Sequence, residues 1–89
     1  PGAPTDLDVN VGYNYLTASW NYTSNCTSPR QTQFLLTPYD ELGQKTGRQM
    51  ITESSTKDIA VLQFRKCKEV SLGVRPLMGS EVRKRFRIP

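Results

Sequence analysis

Eighty-nine residues, 36% of them hydrophobic and 22% charged, suffice for one domain with one core and leave no room for a second. The balance is that of a folded chain and not of a disordered tail. No apolar run approaches the roughly 20 residues of a membrane-spanning helix, which argues against direct membrane insertion. The net charge is +4, from 12 Lys and Arg against 8 Asp and Glu, and there is no histidine at all. The commonest general base and metal ligand near neutral pH is therefore missing, and neither a Ser-His-Asp nor a Cys-His site can be built within the chain. The acids Asp6, Asp8, Asp40, Glu41, Glu53, Asp58, Glu69 and Glu81 are scattered, and no glycine-rich phosphate loop appears. Two cysteines are too few for a zinc site without carboxylates. The expectation is a non-enzyme without cofactor or metal.

The ends, Pro1-Gly2-Ala3-Pro4 and Ile88-Pro89, read as inter-domain linker, so 1–89 is expected to be a single domain of a longer chain with 1–4 as linker. Between them the dominant signal is period-two alternation, the mark of a strand with one buried face. Leu7, Val9 and Val11 alternate with polar residues. Gly12 and Asn14 then supply turn chemistry, and Leu16, Ala18 and Trp20 point one way in the next run. Residues 21–30 are polar and read as a loop. A third strand runs from near Gln31 through Phe34 and Leu36 toward Tyr39, where Pro38 argues for a sheet edge or an early end.

Turn-rich residues 40–47 lead to a short strand over 48–52 and a polar loop over 53–57. Residues 58–64 read as a strand whose apolar positions, Ile59 and Leu62 among them, are too dense to fix a register. Val70, Leu72 and Val74 alternate cleanly up to Pro76. After a turn at 77–80, Val82, Lys84, Phe86 and Ile88 share one face of the last strand. About seven strands at short spacing, with no convincing helix, are the signature of an all-β, antiparallel β-sandwich.

These residues resemble a fibronectin type III domain. Pro4-Thr5-Asp6-Leu7-Asp8-Val9 is similar to the family's first strand, and Leu16-Thr17-Ala18-Ser19-Trp20 to its second, whose tryptophan is central to the core. Phe34-Leu35-Leu36 sits where the family has an aromatic-x-aliphatic third strand. Ile59 and Leu62 fit the fifth strand and its exit, and Val70, Leu72 and Val74 fit the sixth. The family's usual tyrosine before the sixth strand is missing, because Lys68 or Val70 falls there. The resemblance covers nearly the whole chain through short motifs, and immunoglobulin-like and cadherin-like sandwiches stay open. It implies a seven-stranded immunoglobulin-like sandwich with a core of Leu7, Val9, Leu16, Ala18, Trp20, Phe34, Leu36, Ile59, Leu62, Val70, Leu72, Val74 and Phe86. It also implies an extracellular or cell-surface module of a larger receptor, adhesion or matrix protein, binding another protein or spacing its neighbours, or an accessory module of a secreted enzyme.

Three features could carry more. Asn21-Tyr22-Thr23 and Asn25-Cys26-Thr27 both match the N-glycosylation acceptor pattern. Cys26 and Cys67 form an even pair suited to an extracellular disulfide. In the type III topology, however, their loops lie at opposite ends, beyond the ~7 Å between Cα atoms that a bridge allows. Free thiols, or partners in a neighbouring domain, are the alternative. Finally, Arg83, Arg85 and Arg87 fall on the outer face of the last strand, about 6.6 Å apart. They could pair with the sulfates or carboxylates of an anionic glycan, or simply keep the outer face soluble and guard a sheet edge. Lys84 then points inward, which suggests a bulge or an exposed strand end. Nucleic acid is a poorer partner, since Trp20, Phe34 and Phe86 are expected in the core and not on a stacking platform.

Overall fold

The computed structural model describes residues 2–23 and 32–89. Nearly all of the regular structure is β: β1 (Thr5–Val11), β2 (Tyr15–Asn21), β3 (Phe34–Tyr39), β4 (Met50–Thr52), β5 (Thr56–Ala60), β6 (Glu69–Pro76) and β7 (Val82–Arg87), with one 3₁₀ turn at Val61–Gln63. The strands form two antiparallel sheets, ordered β1-β2-β5 and β4-β3-β6-β7, an arrangement compatible with a β-sandwich.

Period-two alternation produces the two faces. On β2, Leu16, Ala18 and Trp20 are buried, and β5 adds Ile59 directly beside Leu16. The second sheet answers with Phe34 and Leu36 from β3 and with Val70, Leu72 and Val74 from β6. Trp20 meets Phe34 edge to face at 5.3 Å between centroids, and Tyr22 packs on the same ring at 5.3 Å, so aromatic contacts tie the sheets together. Leu7, Val9 and Phe86 are only partly buried, because they lie on the outermost strands β1 and β7, but they pack against the same core.

The β1-β2 hairpin closes where the Gly12 N–H donates to the Tyr15 carbonyl at 2.8 Å. A Cβ at Gly12 would stand 2.7 Å from that oxygen, so only glycine fits the turn. Between Thr5 and Asp8 the register shifts, and Asp6 takes a left-handed φ of 56° at this bulge. Pro4 is buried, and the Gly2 carbonyl accepts from the Ser80 N–H at 3.2 Å, which lays the N-terminal segment against the 77–80 turn.

The structure bears on four expectations, and one of them, Leu62, is corrected. Leu62 is not core but 86% exposed. The chain leaves β5 at Ala60 and enters the 3₁₀ turn, whose period of three puts Val61 and Phe64 on one buried side and turns Leu62 outward. β3 is not an edge strand, since it pairs with both β4 and β6, but β4 reaches only to Leu36 and β3 stops at Tyr39, so Pro38 marks the early end. Its carbonyl accepts from the Thr46 N–H at 2.9 Å, so its donorless nitrogen also points to that side and the ladder with β6 loses nothing. Lys84 lies opposite buried Leu72 but is exposed, because β7 ends its sheet and a long side chain there reaches water without a bulge. Cys67 is an exposed thiol with no disulfide partner among the described residues. Its would-be partner Cys26 lies outside the described residues.

The corner before β6 is closed without a tyrosine. Phe64 packs edge to face on Phe86 at 5.0 Å, and the Cys67 N–H donates to the Ile88 carbonyl at 2.8 Å. Cys67 itself adopts a left-handed φ of 62°.

Two substitutions separate the 3₁₀ reading from a continued strand. Phe64→Ala is expected to cost about 3–5 kcal/mol, as for a buried aromatic, while Leu62→Lys stays within about 0.5 kcal/mol of the parent. Guanidinium denaturation of both variants measures the difference. A large loss in Leu62→Lys would return residue 62 to the core.

Candidate protein-contact site on the four-stranded sheet

Directly opposed residues share a face, so the register fixes the composition of the outer face of β4-β3-β6-β7. Its rows read Leu35 with Arg75; Thr37 with Gly73 and Arg83; Tyr39 with Ser71 and Arg85; and Glu69 with Arg87. The three arginines expected on an outward face are thus there, and all are exposed. Each already has a local partner. Arg83 Nε donates to Glu81 Oε1 at 2.9 Å, Arg85 Nη1 stands 3.4 Å from Glu69 Oε1, and Arg87 Nη1 donates to the Cys67 carbonyl at 3.1 Å. The Arg85 pair is open to water on both sides, at 82% and 55% exposure, and contributes little.

One group of linked side chains on this face is a feature that sequence spacing could not reveal. The Arg83 guanidinium lies 3.6 Å above the centre of the Tyr39 ring, and the Tyr39 hydroxyl donates to Glu81 Oε2 at 2.7 Å. Glu81 thereby holds both the tyrosine and the arginine with its two oxygens. Tyr39 and Glu81 are 42 positions apart, and only the β3-β6-β7 pairing brings them together. Gly73 makes room for the group: a Cβ there would run into the Glu81 carboxylate and approach the Tyr39 ring to 2.9 Å. Beside it, Thr37 is buried and accepts from Gln49 Nε2 at 3.0 Å, so a loop side chain caps β3 where a bare sheet face would be expected.

Next to this group a shallow depression of about 460 Å³ opens between residues 40–43 and strands β6 and β7. Asp40, Glu41, Glu69, Arg83 and Arg85 line it. Asp40 Oδ1 accepts from the Leu42 and Gln44 backbone N–H groups at 2.9 and 3.0 Å, which fixes the loop wall. Glu41 reaches Arg65 at 3.4 Å. The depression therefore carries both charge signs.

Burial of the hydroxyl raises the Tyr39 pKa above the ordinary 10.0. The hydrogen bond to Glu81 and its negative charge push the same way, against a smaller opposing pull from Arg83. Arg83 is held even more firmly in its charged form, chiefly by its hydrogen bond to Glu81. No cluster of three or more His, Cys, Asp or Glu with metal-binding geometry occurs among the described residues. Of the two acceptor triplets, Asn21 ends β2 in an exposed position, while Asn25 lies outside the described residues.

Two outcomes test the group. Gly73→Ala is expected to push Tyr39 and Glu81 apart and to cost about 1–3 kcal/mol, as overpacking does, read by chemical denaturation. The second is a pH dependence. The folded phenol holds its proton more tightly than the unfolded one, so this stability is fully present below 10.0 and is lost as pH rises through the folded value. Denaturation midpoints on either side of 10.0 should show a fall in the parent that is smaller in Tyr39→Phe.

No protein-family model matches the chain, and no characterised protein matches it in sequence.

Proposed function

We propose that the chain is a fibronectin type III domain, an immunoglobulin-like sandwich of seven strands, and a binding module of a larger extracellular receptor, adhesion or matrix protein. It meets another protein through the outer face of β3, β6 and β7. Immunoglobulin-type sandwiches divide their first, second and fifth strands from the third, sixth and seventh. Here β1-β2-β5 and β3-β6-β7 divide in the same way. That accord and the sequence resemblance support the family reading.

The single observation that carries the contact face is the Arg83 guanidinium stacked on Tyr39 and held by Glu81. Arginine and tyrosine are the side chains richest in binding energy at protein interfaces, and side chains already ordered lose less entropy on association. The mixed charges around the depression suit a partner of matching pattern. Sulfated-glycan binding through Arg83, Arg85 and Arg87 is the weaker reading. Glu81 and Glu69 already face two of these arginines, and Asp40 and Glu41 lie close by, so the attraction for a polyanion is largely offset.

The test is a screen of the chain, displayed as a multivalent fusion, against secreted and cell-surface ectodomains. Binding to a partner found this way should fall about tenfold or more in Arg83→Ala and hold in Asn10→Arg, on exposed β1 of the other sheet. Loss in Asn10→Arg alone would move the contact to the other sheet, and absence of any partner would leave only a spacer. Retention on immobilised heparin that drops sharply in the triple Arg83→Ala, Arg85→Ala, Arg87→Ala variant would favour the glycan reading instead.

A further inference from the structure

We infer that Asn21 is an N-glycan acceptor whose glycan projects from the outer face of the β1-β2-β5 sheet. This inference rests on the extracellular reading above, but not on the contact face. The triplet Asn21-Tyr22-Thr23 supplies the acceptor amide, a middle residue other than proline, and the required hydroxyl.

The structure adds three things to the triplet. Asn21 is the last residue of β2 and is exposed, as is Thr23, so an attached sugar meets no core atom. The alternation that buries Leu16, Ala18 and Trp20 sends Asn21 to the opposite side, together with Tyr15 and Thr17. Finally, Asn21 Nδ2 donates to Asp6 Oδ2 at 3.0 Å, across from the β1 bulge. An amide nitrogen carries two hydrogens and this bond uses one, so the folded contact and the glycan are compatible.

The chemistry is a transfer from a lipid-linked oligosaccharide. A bond forms between Asn21 Nδ2 and the anomeric carbon of the donor. The bond from that carbon to the lipid pyrophosphate breaks, the pyrophosphate leaves with its electron pair, and one amide proton is lost to a base. The other amide hydrogen remains to meet Asp6. On the same outer face Thr17 Oγ1 donates to Asp58 Oδ1 at 2.8 Å. A glycan leaving this face keeps clear of Tyr39, Arg83 and Arg85, which belong to the other sheet.

The experiment is secretion of the 89-residue chain from mammalian cells behind a cleavable leader, with peptide mapping before and after enzymatic removal of N-glycans. A glycopeptide at residue 21 that is converted to Asp by the enzyme is expected in the parent and in Asn25→Gln. Thr23→Ala should abolish it while leaving the Asn21–Asp6 pair intact, which separates a lost acceptor from a misfolded chain. Secreted protein with residue 21 unmodified, or modified at residue 25 alone, overturns the inference. Occupancy is read by mass, so its failure and the failure of the contact face are told apart.

Discussion

The organising constraint is the aromatic and aliphatic seam between the two sheets, centred on Trp20 against Phe34. A chain of 89 residues buries a modest share of its surface, so each inward position matters more than in a large protein. Leu16, Ala18, Trp20 and Ile59 face Phe34, Leu36, Val70, Leu72 and Val74 across that seam. Once those residues must point inward, the period of two dictates what points outward. A slip of one residue between β6 and β7 would bury Arg83, Arg85 and Arg87 and expose Phe86. The arrangement of this outer face is thus a consequence of the core.

Much of this was legible because alternation is a local signal. Leu16-Ala18-Trp20 and Val70-Leu72-Val74 declare their faces within a few residues, and the outward arginines follow from Phe86 by counting. The failures come where periodicity changes or partners are distant. From Ile59 to Phe64 the chain passes from period two to period three without a glycine or proline to announce it, so Leu62 was placed inside while Phe64 held the corner. Pro38 marks the early end of a strand that is central and not an edge; its bare nitrogen faces the 40–47 loop, beyond the reach of β4, where no ladder bond is needed. The Tyr39–Glu81–Arg83 group and the clearance at Gly73 depend on three strands meeting, and no spacing within one strand encodes them.

The connection into β6 shows how a corner can be fixed without a tyrosine. The connection into β6 needs an apolar anchor and a hydrogen bond to fix it. Phe64 on Phe86 supplies the first, and Cys67 N–H to the Ile88 carbonyl supplies the second. The cost is a left-handed backbone at a residue other than glycine, of order 1–2 kcal/mol. Arg87 then donates to the Cys67 carbonyl, so the strained residue is bonded through both its backbone groups.

The two outer faces answer different physical demands. β7 is an edge strand, and an exposed ladder of N–H and C=O groups invites another chain to pair with it. Arg83, Lys84, Arg85 and Arg87 put charge on both sides of that edge, which discourages such pairing whatever else they do. Arg83 departs from simple edge protection. Guarding an edge needs only charge, and a solvated side chain would supply it. A guanidinium laid over a buried tyrosine and pinned by a carboxylate has given up rotamer freedom that a guard has no reason to lose. Arg85, 82% exposed and loosely paired, is what an edge guard looks like. The contrast between neighbours two residues apart on one strand is the reason to place the proposed contact at Tyr39 and Arg83, and not along the whole basic strand.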